Sequence, residues 1–547
     1  MDIESPSSHN RHSVPGRWLV VGVVVIFGIL IRLYRVGEQL ILDDEWHALN
    51  AVQNHDYWWI FSHFGQADYS IPLALLFEFF SHTIGLDEIT MRLPSILAGI
   101  LTLLVIPLLM RPWLKRNEII VLVGLIAISP FLINYSRIAR PYALVALLAG
   151  ASIPLAWRWW HNKDRGNGTA WFTCTVLAAW LNPVSLAVTT GPFLWFAGDS
   201  LATLWWVHDR QKLYRLVFMG VAISAAVALL MYIPLTNDFA SLANKTGTHQ
   251  VEPSTFLVAL SLFSGSGHLL VVVAIALAFA FGCLTLYRRD PPFFSFLLVI
   301  AGAATLAIVF TGAAWINYGL VLARYLIGFL PLFLALTAVG LVQSGHHLVK
   351  LLHLPAAADQ VLTSLALLIL LLSGPLPRID FRNSQFVHHM SNQFDYDPDR
   401  NPVSSALKTV IPESFYEDIA KANPAGDAVV VEAPWYLESQ WNPLPLYQAV
   451  HGQRVMAGFI GGVCADKLYG ELKNDVKGMA FANFTTLRRV ITGKVKVDYL
   501  VLRSQGIPGS REIPMDFAKC ESFVRSALGE PWRTTDTAQV FRIARDS

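Results

Sequence analysis

The hydrophobic and polar positions divide the chain near residue 377. Before that point, long apolar runs alternate with short polar breaks. The runs lie at 18–34, 93–110, 118–136, 141–157, 170–181, 184–206, 213–235, 268–287, 294–315, 320–343 and 360–376. A helix needs about 20 residues, at about 1.5 Å each, to cross the hydrocarbon layer. The pattern predicts about eleven spans. The pair at 170–206 is the least regular, because its first member is short and Asn182-Pro183 divides it. Residues 71–80 are apolar but too few to cross, which suits a helix lying in the interface. Residues 254–264 read as a further short or re-entrant piece.

Beyond 377 the pattern is that of a soluble α/β unit. Residues 378–426 are polar. Strands are predicted at 428–432, 497–502 and 539–543, and helices at 435–450 and 516–528. Three domains follow: a cytoplasmic tail at 1–17, a membrane domain at 18–377 with a long outer loop at 35–91, and an extracytoplasmic α/β domain at 378–547.

Composition supports this division. The chain has 547 residues, 54% hydrophobic and 15% charged, where soluble proteins carry about 25% charged. The net charge of +2 points to no bulk electrostatic partner. With the N-terminus in the cytoplasm, the inner loops hold fourteen Lys and Arg and the outer ones six, as the positive-inside rule requires. Counting 71–86 as a span would invert every later loop. Eleven spans then place the C-terminal domain outside. The first run lacks a small-residue cleavage site and reads as a retained anchor. No Walker loop, GxGxxG or CxxC is present, so no nucleotide cofactor is indicated. Cys174 and Cys283 fall in apolar runs, whereas Cys464 and Cys520 share the C-terminal domain and are free to pair if it lies in an oxidising compartment.

Candidate chemistry gathers at the outer face. Asp43, Asp44 and Glu45 sit side by side where the first span surfaces, and Asp68 follows in the same loop. Such clusters bind hard cations or act as bases; a merely solvated acidic loop is the bland alternative. Arg92 opens the second span, Arg137 and Arg140 lie in the turn between the third and fourth, and Arg324 begins the tenth. Single arginines at that depth often snorkel to headgroups. Several converging beside acids suit a membrane-anchored phosphate, because the planar guanidinium matches phosphate oxygens. The polar stretch 236–253, with Lys245 and His249, is long enough to close over a donor. The tryptophan pairs 58–59, 159–160 and 205–206 suit an interfacial belt.

These residues resemble the GT-C glycosyltransferases, among them the protein O-mannosyltransferases and the lipid A aminoarabinose transferases. Asp44-Glu45 matches that superfamily's acidic pair after span one. The stretches Asp68-Tyr69-Ser70-Ile71-Pro72-Leu73 and Arg92-Leu93-Pro94-Ser95 stand where an Asp-x-His-Pro-Pro-Leu and an Arg-Leu-Pro-Ser stand there. Residues 135–142 read Tyr-Ser-Arg-x-Ala-Arg-Pro-Tyr, and Arg324-Tyr325-Leu326 matches a late Arg-Tyr-Leu. Ser70-Ile71 replaces the usual His-Pro, so no histidine ligand is assigned.

The resemblance implies a polyprenyl-phosphate-linked monosaccharide donor, transfer on the periplasmic side of a bacterial inner membrane, and inversion at the anomeric carbon. Asp44 would be the general base and Glu45 a metal ligand or orienting group. Arg92, Arg137, Arg140 and Arg324 would hold the lipid phosphate, supported by Tyr142 and Tyr325. A divalent metal, Mg2+ or Mn2+, would find ligands in Asp44, Glu45 and Asp68. The acceptor would be an envelope lipid, polysaccharide or protein. Two other classes remain open. A transporter or flippase of lipid-linked sugars would place charge near the midplane and often show repeated halves. A non-catalytic scaffold would leave the acids and arginines unexplained.

Overall fold

A computed structural model describes residues 16–34, 36, 45, 48, 51–52, 55–65, 70–86, 88–208, 210–243, 247, 250–355, 357–377, 412–433, 447, 450–457, 497–504 and 517–543. The first part is helical throughout. In chain order the helices are α1 (Gly16–Leu33), α2 (Tyr57–Ser62), α3 (Ile71–His82), α4 (Glu88–Met110), α5 (Arg116–Ile128), α6 (Pro130–Ser136), α7 (Tyr142–Asn162), α8 (Arg165–Leu181), α9 (Leu186–Thr189), α10 (Pro192–Val207), α11 (Gln211–Ala243), α12 (Pro253–Ser264), α13 (Leu269–Arg289), α14 (Pro291–Thr311), α15 (Gly319–Tyr325), α16 (Leu330–Leu351) and α17 (Ala358–Ser373). Six are long and apolar enough to cross a membrane, seven if the bent pair α5–α6 counts as one span. The chain is a polytopic helical membrane protein. Other apolar runs fold as shorter helices, α1, α3, α12 and α17 among them.

Breaks follow sequence chemistry. The run 118–136 is two helices bent by 55°, because Pro130 starts the second and cannot donate to the turn before it. Asn182 ends α8 and caps the short turn at Pro183 by accepting from the Val184 amide at 3.1 Å. Packing is closest where α13 crosses α16: a side chain on Gly340 would run into the Ala278 carbonyl, and one on Gly282 into that of Leu336. Backbones meet this closely only at small residues.

The ends of α5, α13 and α16 are stapled by one carboxylate. Glu118, fully buried, accepts from both terminal nitrogens of Arg289 at 2.9 and 2.8 Å and from Gln343 Nε2 at 3.0 Å. The tryptophan pairs behave differently from one another. Trp205 and Trp206 are exposed on the helix bundle's apolar outside, as a belt predicts. Trp159 and Trp160 are buried, packed on Trp171 and Phe196 beneath the Arg215 guanidinium. The polar stretch 236–253 is not simply a loop: α11 continues to Ala243, leaving helical geometry only at Asp238.

The second part carries a five-stranded sheet in the order β2-β1-β3-β5-β4. Its strands are β1 (Val429–Ala433), β2 (Arg454–Ala457), β3 (Tyr499–Arg503), β4 (Arg533–Thr534) and β5 (Ala538–Arg542). β1 pairs in parallel with β2 and β3, and β5 pairs antiparallel with β3. Helices α18 (Phe415–Ala422) and α19 (Phe517–Leu528) accompany it. Strands β1 and β3 are buried at every position, which is why both read as continuous apolar runs. Of the predicted helix 435–450 only Tyr447 and Val450 are described, both helical, and Cys464 lies outside the described residues. Cys520 is disulfide-bonded, while Cys174 and Cys283 are free.

Under this sheet lies a buried polar cluster. Arg503 bridges Glu432 and Glu413 at 3.2 and 2.7 Å, and donates to the Tyr416 hydroxyl, which in turn donates to Glu432 at 2.6 Å. Burial and the nearby Arg503 act on each group in opposite senses. Burial dominates at Glu432, whose carboxyl is raised, and Arg503 prevails at Glu413, which is lowered despite its burial.

Candidate active site

Glu45 is the fixed point of the site. It is fully buried, as is Arg92 from the second turn of α4. The two make a bidentate bridge: Arg92 Nε donates to Oε1 at 3.0 Å and Nη2 to Oε2 at 2.9 Å. Arg92 also donates to the Val36 carbonyl at 3.0 Å. Two long-range contacts then tie the turn 137–140 to this bridge. The Ala139 amide donates to Glu45 Oε1 at 2.7 Å, and Ser95 Oγ on α4 donates to the Arg140 carbonyl at 3.0 Å. The turn exists because Ser136 ends α6 and Pro141, the residue before α7, enters the helix with a preset backbone angle. The sequence motif Tyr-Ser-Arg-x-Ala-Arg-Pro-Tyr is therefore a helix end, a tight turn and a helix start.

Tyr142, the first residue of α7, brings two cations together. The Arg140 guanidinium lies 5.9 Å from its ring centroid and that of Arg324, from α15, 5.5 Å. These residues are far apart in sequence. Tyr135 packs edge-on against the same ring at 4.8 Å. Tyr325, next to Arg324, is partly buried against the core. Arg137 is fully buried and faces the other way. Its Nη1 donates to the carbonyls of Arg32 at 3.0 Å and Ile31 at 3.3 Å, at the end of α1.

Of the residues singled out from sequence, Glu45, Arg92, Arg137, Arg140, Tyr142 and Arg324 thus form one connected group. Asp44 and Asp68 lie outside the described residues. The geometry of Glu45 does not suit a metal ligand. Both oxygens already accept from a guanidinium within 3.0 Å, and a cation there would face that positive charge. Among the described residues no three His, Cys, Asp or Glu side chains converge as a metal set would.

Sequence reasoning missed three contributors. Arg32 looked like one more residue of an apolar run; it is buried completely against main-chain carbonyls. Asp238 and Asn237 looked like loop polarity. Asp238 accepts from the Phe64 amide at 2.6 Å and Asn237 donates to the Ser62 carbonyl at 2.9 Å, so α11 holds the outer-loop helix α2. A proline opposite Arg32, and polar residues at a helix end, were the only signals available.

No protein-family model and no curated protein matches the chain. Solved structures do. ArnT from Cupriavidus metallidurans in the apo state is 14% identical, covering 97% of this chain and 99% of that one, with a TM-score of 0.49. The same protein bound to undecaprenyl phosphate aligns with a TM-score of 0.47 at 11% identity, covering 98% and 99%. The oligosaccharyltransferase AglB from Archaeoglobus fulgidus, in complex with an inhibitory peptide and a dolichol-phosphate, is 13% identical over 90% of this chain and 70% of its own, TM-score 0.44.

Proposed function

We propose that this protein is a glycosyltransferase that moves a monosaccharide from a polyprenyl-phosphate-linked donor to a hydroxyl of a cell-envelope acceptor. The supporting observation is the convergence of Arg140 and Arg324 on Tyr142, one peptide from the amide that Glu45 fixes. Two guanidiniums held against one ring in a helical membrane bundle make a receptor for a lipid-borne phosphate.

In this reading Asp44 takes the proton from the acceptor hydroxyl as its oxygen attacks the anomeric carbon. The bond from that carbon to the phosphate oxygen breaks, and its electron pair leaves with the lipid phosphate. One displacement inverts the anomeric centre. Arg140 and Arg324 neutralise the charge that develops on the leaving phosphate, and Tyr142 and Tyr325 shape the pocket around it. Arg92 and Arg137, committed to Glu45 and to carbonyls, keep the surroundings positive and hold the turn. Glu45 serves as an orienting group. No step passes through a metal.

The reaction would face the periplasm of a bacterial inner membrane. The asymmetry of basic residues favours that orientation, and so does the disulfide at Cys520 in the C-terminal domain, since disulfides persist in oxidising compartments. The test is transfer of labelled sugar from polyprenyl phosphate in membranes holding the parent or Asp44→Asn. Loss of a general base predicts a fall of about a hundredfold or more. Equal transfer by both would remove Asp44 from the mechanism. No transfer by the parent from any donor, with movement of lipid-linked sugar across vesicles, would establish the transporter.

A further inference from the structure

Pro130 has no amide hydrogen, so the Ile126 carbonyl four residues earlier lacks its helical donor. The Leu132 amide turns to Ser129 Oγ at 3.4 Å. Arg32, from α1, fills the gap. Its Nη2 donates to the Ile126 carbonyl at 3.0 Å, and its Nη1 to the Gly28 carbonyl at 2.8 Å with a longer contact to Ala127 at 3.5 Å. Arg137 returns the favour on the far side of the bend, closing the carbonyls of Ile31 and Arg32 at the open end of α1. Gly99 on α4 leaves room for both parts: a Cβ there would run into Ser136 Oγ and come within 3.2 Å of Arg32 Nε. Each arginine therefore completes the helix end that the other's segment leaves open.

We infer that Arg32 is a positioning residue that replaces the amide missing at Pro130 and so sets the bend that delivers the 137–140 turn to the donor phosphate. The inference rests on the function proposed above for the phosphate, but the pairing of Arg32 with Pro130 does not. The turn is anchored by Arg137 to α1, by Ala139 to Glu45 and by Arg140 to Ser95. A shift of α6 against α1 moves the first of these and carries Arg140 with it.

The experiment is a cycle of four full-length proteins in lipid nanodiscs: parent, Arg32→Met, Pro130→Ala, and both together. Pro130 is the first residue of α6 after the extended Ser129, so alanine at 130 offers its amide to the Ile126 carbonyl only where it lets α5 continue through Ser129, and removal of Arg32 should cost less in that background. Arg32→Met is expected to weaken binding of a polyprenyl phosphate by about tenfold to a hundredfold, the worth of a charged donor on a buried carbonyl. It should raise the donor KM more than it lowers kcat. With Pro130→Ala the same loss should shrink to about threefold or less. Additive losses would overturn the inference, as would a fall in stability with binding and KM unmoved in the folded fraction. Should Arg32→Met not fold, Arg32→Lys keeps one donor and supplies an intermediate point. Hydrogen exchange in α6 measures the same coupling with no ligand present. If the parent neither binds the lipid nor transfers sugar, the proposed function fails, and exchange alone decides whether Arg32 stands in for the missing amide.

Discussion

Glu45→Gln is the most direct test of the site's geometry. Glu45 Oε1 accepts from two donors, Arg92 Nε at 3.0 Å and the Ala139 amide at 2.7 Å, while Oε2 accepts from Arg92 Nη2 at 2.9 Å. Glutamine has one oxygen. If that oxygen takes the Oε1 position, its amide nitrogen faces Arg92 Nη2, donor against donor. The guanidinium, with no exposed surface, also loses the carboxylate charge that faces it. Breaking a buried pair from one side costs about 3–5 kcal/mol. For a domain of this size that lowers the apparent unfolding temperature by roughly 3–8 °C. Fluorescence-detected size exclusion after heating would read the shift in detergent. Arg92→Met on top of Glu45→Gln removes the stranded charge and should recover much of the stability while transfer stays lost. A single-variant loss below about 1 kcal/mol, the value of an exposed pair, would refute the buried bridge. So would a double variant less stable than the single.

Tyr142→Phe keeps the ring beneath Arg140 and Arg324 and should leave donor KM within about twofold, whereas Tyr142→Ala should raise it about tenfold, given about 1–2 kcal/mol for a desolvated cation over a ring; equal effects would place the importance in the hydroxyl. In the C-terminal domain, burial pushes the His451 imidazole from the ordinary 6.5 down to about 3. Its folded form thus stays neutral in acid while the unfolded chain takes up a proton, so stability held above pH 6.5 drains away as pH falls toward 3. Between pH 6.5 and 5 the loss is about 2 kcal/mol at most, read as protection of the β1 amides in the full chain. His451→Phe, which keeps a ring against Tyr416, should flatten the slope, although Glu432, shifted up by burial, titrates in the opposite sense. Alkylation of the denatured, unreduced protein should label two of the four cysteines, Cys174 and Cys283; four labels would deny the disulfide at Cys520.

What the sequence made legible was set by periodicity and by proline. Runs of apolar residues have one solution in lipid, a helix, and α13 and α14 follow them closely, whereas the run 320–343 divides into the short α15 and an α16 that continues to Leu351. The strands β1 and β3 were visible because burial on both faces leaves no polar alternation. Hydropathy does not distinguish a helix face toward lipid from one toward protein. Trp159 and Trp160 therefore looked like Trp205 and Trp206, yet sit in the core under Arg215. Polar residues at 236–243 looked like loop, but a helix end in water tolerates them, and Asp238 and Asn237 use their side chains to hold α2. The motif order singled out Glu45, Arg92, Arg140 and Arg324. The pairing of Arg32 with Pro130 escaped because it joins residues about a hundred positions apart through a main-chain carbonyl, which carries no sequence signature.

The staple at Glu118 bears on how the chain is made. Arg289 is among the basic residues that the charge count assigns to the cytoplasm. During insertion it must act as a free charge, since that is when orientation is decided. In the finished protein the same guanidinium lies on Glu118 with Gln343 beside it. If the charge count holds, the residue serves orientation first and architecture afterwards. Pairing requires α13 to be present, so α5 waits with a lone acid until α13 emerges more than a hundred residues later. Loss of Arg289 would leave orientation supported by Arg288 but leave that early carboxylate without its cation.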